Sequence, residues 1–149
     1  MVTAQQQLDG FLKKYSPQIE KLGRAAISHL RKRLPGAFCL VYDNYNALAV
    51  GFGPTPKPSA LPISIALYPR WATLFFMFGS TLDDPDRLLE GKGSRIRSVR
   101  LDGLEMLKSD AIDRLIVEAV VQAGWTLGPK TKGELIIQSV SARQRPRRP

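Results

Sequence analysis

Apolar residues recur at helical spacing through the first third of the chain. Leu8, Phe11 and Leu12 stand three and four positions apart, which predicts a short helix over 5–15. A second helix is predicted to begin at Pro17, because a serine followed by proline is a common helix start. Its apolar face consists of Ile19, Leu22, Ala26, Ile27, Leu30 and Leu34. Its other face is basic through Lys21, Arg24, Arg31 and Lys32.

From residue 37 onward the pattern changes to short apolar runs and to strict alternation, both of which are typical of β-strands. Ala47, Ala49 and Gly51 form a face of small residues, which indicates that another part of the chain packs closely over it, and a helix is the predicted cover. The run 73–78 is apolar on both faces, as in a strand that is covered on both sides. The predicted strands span 37–42, 47–52, 63–68, 73–78, 94–101 and 134–140.

Two more helices are predicted in the second half of the chain. Asp84 precedes a proline, which is again a helix start, and Gly91 would end a short helix there. Ser109 would cap a longer helix, whose apolar residues recur up to Ala123. This order of elements predicts an α+β fold, an antiparallel β-sheet with helices packed mainly on one face.

Length and composition indicate one domain. The chain has 149 residues, of which we assign 1–141 to a single domain. The segment 142–149 is a basic Arg/Pro-rich tail, which we expect to be too polar to pack by itself. The start lacks the pattern of a signal peptide, and no apolar run approaches the length of a membrane span. We therefore expect a cytoplasmic protein without a membrane partner.

The formal net charge of +9 favours anionic partners. The best candidate for an anion-binding site is the glycine-flanked Lys92, with Arg95 and Arg97 following it. Glycine permits positive φ, so successive N–H groups can form a concave nest, and arginine can bind phosphate with two hydrogen bonds. The alternative is a helix C-cap that leads into an exposed basic strand.

The tail is a second candidate for binding anions. Its arginines are able to bind nucleic acid through the phosphates, or they belong to a frayed terminus that keeps the protein soluble. No aromatic residue interleaves with them in the sequence, so base stacking is not indicated. These basic residues are Arg143, Arg145, Arg147 and Arg148.

One acidic cluster lies at the start of the predicted short helix. Hard cations such as Fe(II) and Mg(II) prefer oxygen ligands, so a weak metal site is one interpretation of this cluster. Helix capping is the other interpretation and the commoner use of such residues. The acidic residues are Asp83, Asp84, Asp86 and Glu90.

The segments PISIALYPRWATLFF and LDDPDRLLEGKGSRIRSVRL resemble the DUF1801 (YdhG-like) domain family. The shared pattern is a strand that ends in Leu-Tyr-Pro, a second strand, Asp-Pro before Leu-Leu-x-Gly-Lys-Gly, and a basic strand. The resemblance covers most of 20–124 and implies a small α+β domain. Most members of this family have no assigned activity, and one branch is described as a frataxin-like iron chaperone with an acidic surface. This chain is basic, so the resemblance assigns no metal ligand to it.

We therefore expect a non-enzymatic binding domain without a cofactor, which recognises an anionic small molecule or a protein partner. One alternative is a frataxin-like intracellular iron-binding chaperone, for which iron would be the cofactor. The other alternative is a nucleic-acid-associated basic protein that uses its tail. The sequence leaves the oligomeric state open.

Overall fold

The computed structural model describes residues 1–128 and 132–149. It confirms the α+β class, with four α-helices and a six-stranded sheet. The helices are Ala4–Leu12 (α1), Pro17–Arg33 (α2), Leu104–Leu107 (α3) and Asp110–Gln122 (α4). The strands are Phe38–Asp43 (β1), Leu48–Gly53 (β2), Ile63–Leu67 (β3), Ala72–Phe76 (β4), Arg97–Leu101 (β5) and Leu135–Val140 (β6).

Side-chain caps explain where α1 and α4 begin. The Thr3 hydroxyl accepts from the Gln6 amide, and the Gln6 side chain accepts from the Thr3 amide, so α1 starts with a complete capping box. Ser109 caps α4 as predicted, because its hydroxyl accepts from the amide of Ile112 at 3.3 Å. In the described residues no helix is long and apolar enough to cross a membrane.

The sheet has the order β5-β4-β3-β2-β1-β6. The first five strands form an antiparallel meander, in which each strand pairs with its neighbour in sequence. The last strand, β6, returns beside β1 and runs parallel to it. The chain that follows β6 is thereby placed next to the turn between β1 and β2.

All four helices pack against the same face of the sheet, as predicted. Register brings Val50, Ile65, Leu74 and Val99 into one row on that face, and each of them is buried. This row, the other strand residues that face the same way and the apolar sides of the helices form one continuous core.

The opposite face, called the outer face below, is not covered by an α-helix in the described part of the chain. Close packing over its small residues is present as predicted, but a short 3-10 helix at Pro58–Ala60 and the following Leu61 provide it. Leu61 covers Gly51, since a Cβ there would come within 2.7 Å of its side chain. The prediction that the strand at 73–78 is covered on both sides is wrong, because Phe75 is only half-buried on the outer face.

The short helix predicted after Asp84 is not formed. The Asp84 carboxylate instead accepts from the amides of Leu88 and Leu89, both at 2.9 Å, and holds a turn. Residue 87 in this turn has a positive φ of 52°, which is incompatible with a continuing helix. Glu90 then pairs with Ser98 through two backbone hydrogen bonds, so the segment between them is a closed loop.

Candidate functional site

The C-terminal segment packs against the end of the sheet. After β6, the amide of Ser141 donates to the carbonyl of Asp43, and the amide of Arg145 donates to the carbonyl of Tyr45. The side chain of Arg147 then enters the protein and is only 3% exposed. The tail, which the sequence predicts cannot pack by itself, thus packs against the rest of the domain.

A buried ion pair explains why a polar segment packs here. Arg147 Nη2 donates to Oδ1 of Asp43 at 2.9 Å, and Lys14 Nζ donates to Oδ2 at 2.7 Å. Burial raises the pKa of Asp43, but the hydrogen bonds it receives, led by that from Lys14, together hold this pKa below its ordinary value. The carboxylate is thus ionised at neutral pH and balances two cations.

Neighbouring groups complete the surroundings of this ion pair. Arg147 also donates to the backbone carbonyls of Asn44 and Tyr45, and its guanidinium lies 5.9 Å from the centre of the Tyr15 ring. The hydroxyl of Tyr15 donates to the carbonyl of Leu67 at 2.7 Å and accepts from the amide of Leu48. These contacts join the tail, the first helix pair and three strands at one end of the sheet.

Anchored in this way, the tail forms one wall of a cleft. The other wall is the turn between β3 and β4, which carries Tyr68, Arg70 and Trp71. This tail cleft has a volume of about 660 Å³. Its lining consists of Asn46, Tyr68, Pro69, Arg70, Trp71, Arg145, Pro146, Arg148 and Pro149.

Aromatic rings form the base of the tail cleft. The rings of Tyr68 and Trp71 stack with their centres 5.1 Å apart and their planes 22° from parallel. The guanidinium of Arg100, on the neighbouring strand β5, lies 4.2 Å from the centre of the Trp71 ring. Tyr68 and Arg100 therefore both contact the indole ring of Trp71.

The charge of the tail cleft is positive. Three of its lining residues are arginines, and none of the residues described there is acidic. Arg70, Arg145 and Arg148 form no salt bridge with another described residue. Arg148 Nε donates to the carbonyl of Lys14 at 3.2 Å, and the terminal nitrogens of the three guanidinium groups have no hydrogen-bond partner among the described residues. The cleft therefore combines flat apolar surfaces with guanidinium groups that can bind an anion.

The tail arginines have different environments. Arg147 is buried and is not available to a ligand, whereas Arg143, Arg145 and Arg148 are exposed. Arg145 lies 5.8 Å from the centre of the Tyr45 ring, so aromatic and basic groups do interleave in space. Sequence analysis missed this arrangement, because Tyr45 lies in another turn and no local pattern connects it to the tail.

The predicted anion-binding residues Lys92, Arg95 and Arg97 have different contacts. Arg97 Nη1 donates to the carbonyls of Gly93 and Ile96 at 2.6 and 2.8 Å, which holds their loop closed. Arg95 lies 5.8 Å from the centre of the Phe78 ring, and Lys92 is exposed. Anion binding by these three residues stays a prediction, since the fold does not gather them around one space.

The acidic residues have structural contacts. Besides the Asp84 turn, the amide of Asp83 donates to the Glu118 carboxylate, and Asp86 lies 3.6 Å from Arg114. Glu90 pairs with β5 through its backbone. Among the residues described, no three His, Cys, Asp or Glu side chains lie together in a way that could hold a metal ion.

No protein-family model matches this chain, and no curated protein or solved structure shows significant similarity to it.

Proposed function

We propose that this protein is a binding domain for anionic ligands that carry a planar ring, and that the ligand binds in the tail cleft. The observation that carries the proposal is the convergence of Arg70, Arg145 and Arg148 on the stacked pair of Tyr68 and Trp71. Guanidinium groups bind phosphate or carboxylate, and aromatic surfaces pack against a planar ring. Ligands with both groups, such as nucleotides, fit this chemistry best.

The other candidate functions have less support. The iron-chaperone alternative rests on the family resemblance. Of the four acidic residues named for it, the carboxylate of Asp84 holds a turn and that of Asp86 lies near Arg114. The loop that carries Lys92 and Arg95 exposes both side chains, while its Arg97 is occupied by backbone carbonyls. The tail cleft therefore replaces this loop as the anion site in the proposal.

Titration with ADP tests the proposal. ADP should bind saturably by calorimetry and should change the fluorescence of Trp71, measured in a Trp125→Phe background because Trp125 is the second tryptophan. Pyrophosphate lacks the ring and adenosine lacks the charge, so each should bind at least about tenfold more weakly than ADP.

Matched variants locate the site. The double variant Arg145→Gln with Arg148→Gln should weaken ADP binding about tenfold or more, because two charge-assisted contacts are removed. Arg143→Gln is the control, since Arg143 is an exposed tail arginine that does not line the cleft. Absence of saturable ADP binding, or an equal loss in the control, would overturn the proposal.

A further inference from the structure

The tail cleft continues into a groove on the outer face of the sheet. Asn46 and Tyr68 line both spaces, so the two are contiguous. The outer groove has a volume of about 550 Å³. Its other lining residues are Asn44, Tyr45, Ala47, Ala49, Ser64, Ala66, Phe75, Met77, Ile96 and Ser141.

Strand register explains why this groove exists. Ala49, Ala66 and Thr73 form one row across the outer face, and Gly51, Ser64 and Phe75 form the next row. Small side chains thus make the floor, while the larger Phe75 and Tyr45 project at its margins. The result is a shallow channel over the sheet that begins at the stacked pair.

Two aromatic side chains, Trp71 just before β4 and Phe75 within it, lie four residues apart on the outer face. Trp71, Thr73, Phe75 and Met77 alternate on the outer face, and two residues of a strand span about 7 Å. Trp71 and Phe75 are therefore about 13 Å apart along the strand. A single mononucleotide in the cleft would leave Phe75 uncovered, whereas a short polymer of nucleotides can reach it.

We propose that the ligand is single-stranded nucleic acid, which binds with one nucleotide in the tail cleft and the next ones along the outer groove. This inference rests on the proposed function, because it assigns the ligand class of the same cleft. Aromatic side chains on an open sheet accept unstacked bases, and arginines beside them bind the phosphates. Arg100 and Arg145 flank the path, and no described residue that lines it is acidic.

Duplex nucleic acid does not fit this surface. Bases in a duplex are already stacked and paired, so they cannot contact Tyr68, Phe75 or Tyr45 through their ring faces. A protein that binds only through its net charge of +9 would prefer the duplex, which has the higher charge density. Preference for single strands therefore separates this inference from unspecific electrostatic binding.

The test compares a fluorescein-labelled eight-nucleotide single strand, the same sequence as a duplex, and ADP. We expect the single strand to bind at least tenfold more tightly than either the duplex or ADP. Phe75→Leu keeps an apolar side chain and removes the ring, so it should weaken octamer binding about five- to hundredfold and leave ADP binding unchanged. Tyr45→Leu should act in the same direction, and its side chain is half exposed, so the substitution does not affect the core.

The outcomes distinguish the inference from the proposed function. If ADP binds in the cleft but the octamer binds no more tightly, or if both ring variants bind the octamer normally, the nucleic-acid inference is overturned and the proposed function stands. If neither ADP nor the octamer binds, both are overturned. Equal binding of single strand and duplex would show unspecific charge attraction and would also overturn the inference.

Discussion

The guanidinium of Arg147 donates to the carboxylate of Asp43 at 2.9 Å, and the two side chains are 3% and 0% exposed. They are 104 positions apart in the sequence, so the pair fixes the tail against the end of β1. Charges buried this completely are found in proteins only with a partner. The same ion pair therefore contributes to the stability of the domain and positions the arginines of the tail cleft.

Removing the charge of Asp43 should destabilise the fold. Asp43→Asn keeps the shape of the side chain but leaves Arg147 buried without its counter-ion, so we expect a loss of about 3–5 kcal/mol in the free energy of unfolding. Urea denaturation at pH 7 measures this loss. Asp102→Asn, at an exposed position, is the control and should change stability by no more than about 0.5 kcal/mol. Equal stabilities of the two variants would contradict the role given to the pair.

The Asp43 carboxylate should also account for part of the loss of folding stability at acidic pH. The pKa of Asp43 is lower in the folded protein than its unfolded value of about 3.9, so its contribution is full above that value and is lost as the pH falls through the folded pKa. The stability difference between the natural protein and Asp43→Asn should therefore be largest at pH 7 and should shrink below about pH 4. A difference that stays constant from pH 7 to pH 2 would count against this account.

Arg147→Met should release the tail. Methionine fills part of the space but cannot donate to Asp43, Asn44 or Tyr45, so hydrogen exchange at the amide of Arg145 should accelerate at least about tenfold. ADP affinity should fall with it, because Arg145 and Arg148 lose their fixed positions.

Arg143→Met is the matched control for this release, since Arg143 is an exposed arginine of the same segment. Its exchange rates and its ADP affinity should match those of the natural protein. Unchanged exchange at Arg145 in the Arg147 variant would show that other contacts hold the tail. In that case Arg147 is not a positioning residue.

Periodicity was sufficient to predict the architecture of the core. The α2 face from Ile19 to Leu30 and the alternation at Ile63, Ile65 and Leu67 are buried as expected, because each pattern matches the period of its element. The segment that begins at Asp84 and Pro85 is predicted as a helix, because this pair fits a helix start. There the Asp84 carboxylate accepts from amides four and five residues on and forms a turn instead.

The candidate site could not be predicted in the same way. Its parts come from the β1–β2 turn, the β3–β4 turn and the tail, and the sequence gives no local signal that Tyr68 and Arg148 line one cleft. Composition predicts that the tail cannot pack by itself, because six of its eight residues are arginine or proline. In the structure one of these arginines has a buried partner. Only the return of β6 beside β1 brings that arginine to Asp43.

Two glycines of β2 provide a test of how the outer face is covered. A Cβ at Gly51 would meet the end of the Leu61 side chain, which can rotate away, whereas a Cβ at Gly53 would meet the backbone carbonyl of Ala60, which cannot. Gly53→Ala should therefore destabilise the protein by about 1–3 kcal/mol, as overpacking does, and Gly51→Ala should cost less. Thermal and urea unfolding of the two variants, measured side by side, show which substitution lowers the stability more. If Gly51→Ala is the more damaging substitution, the loop at 58–61 is the rigid part of the cover and Leu61 cannot rotate away.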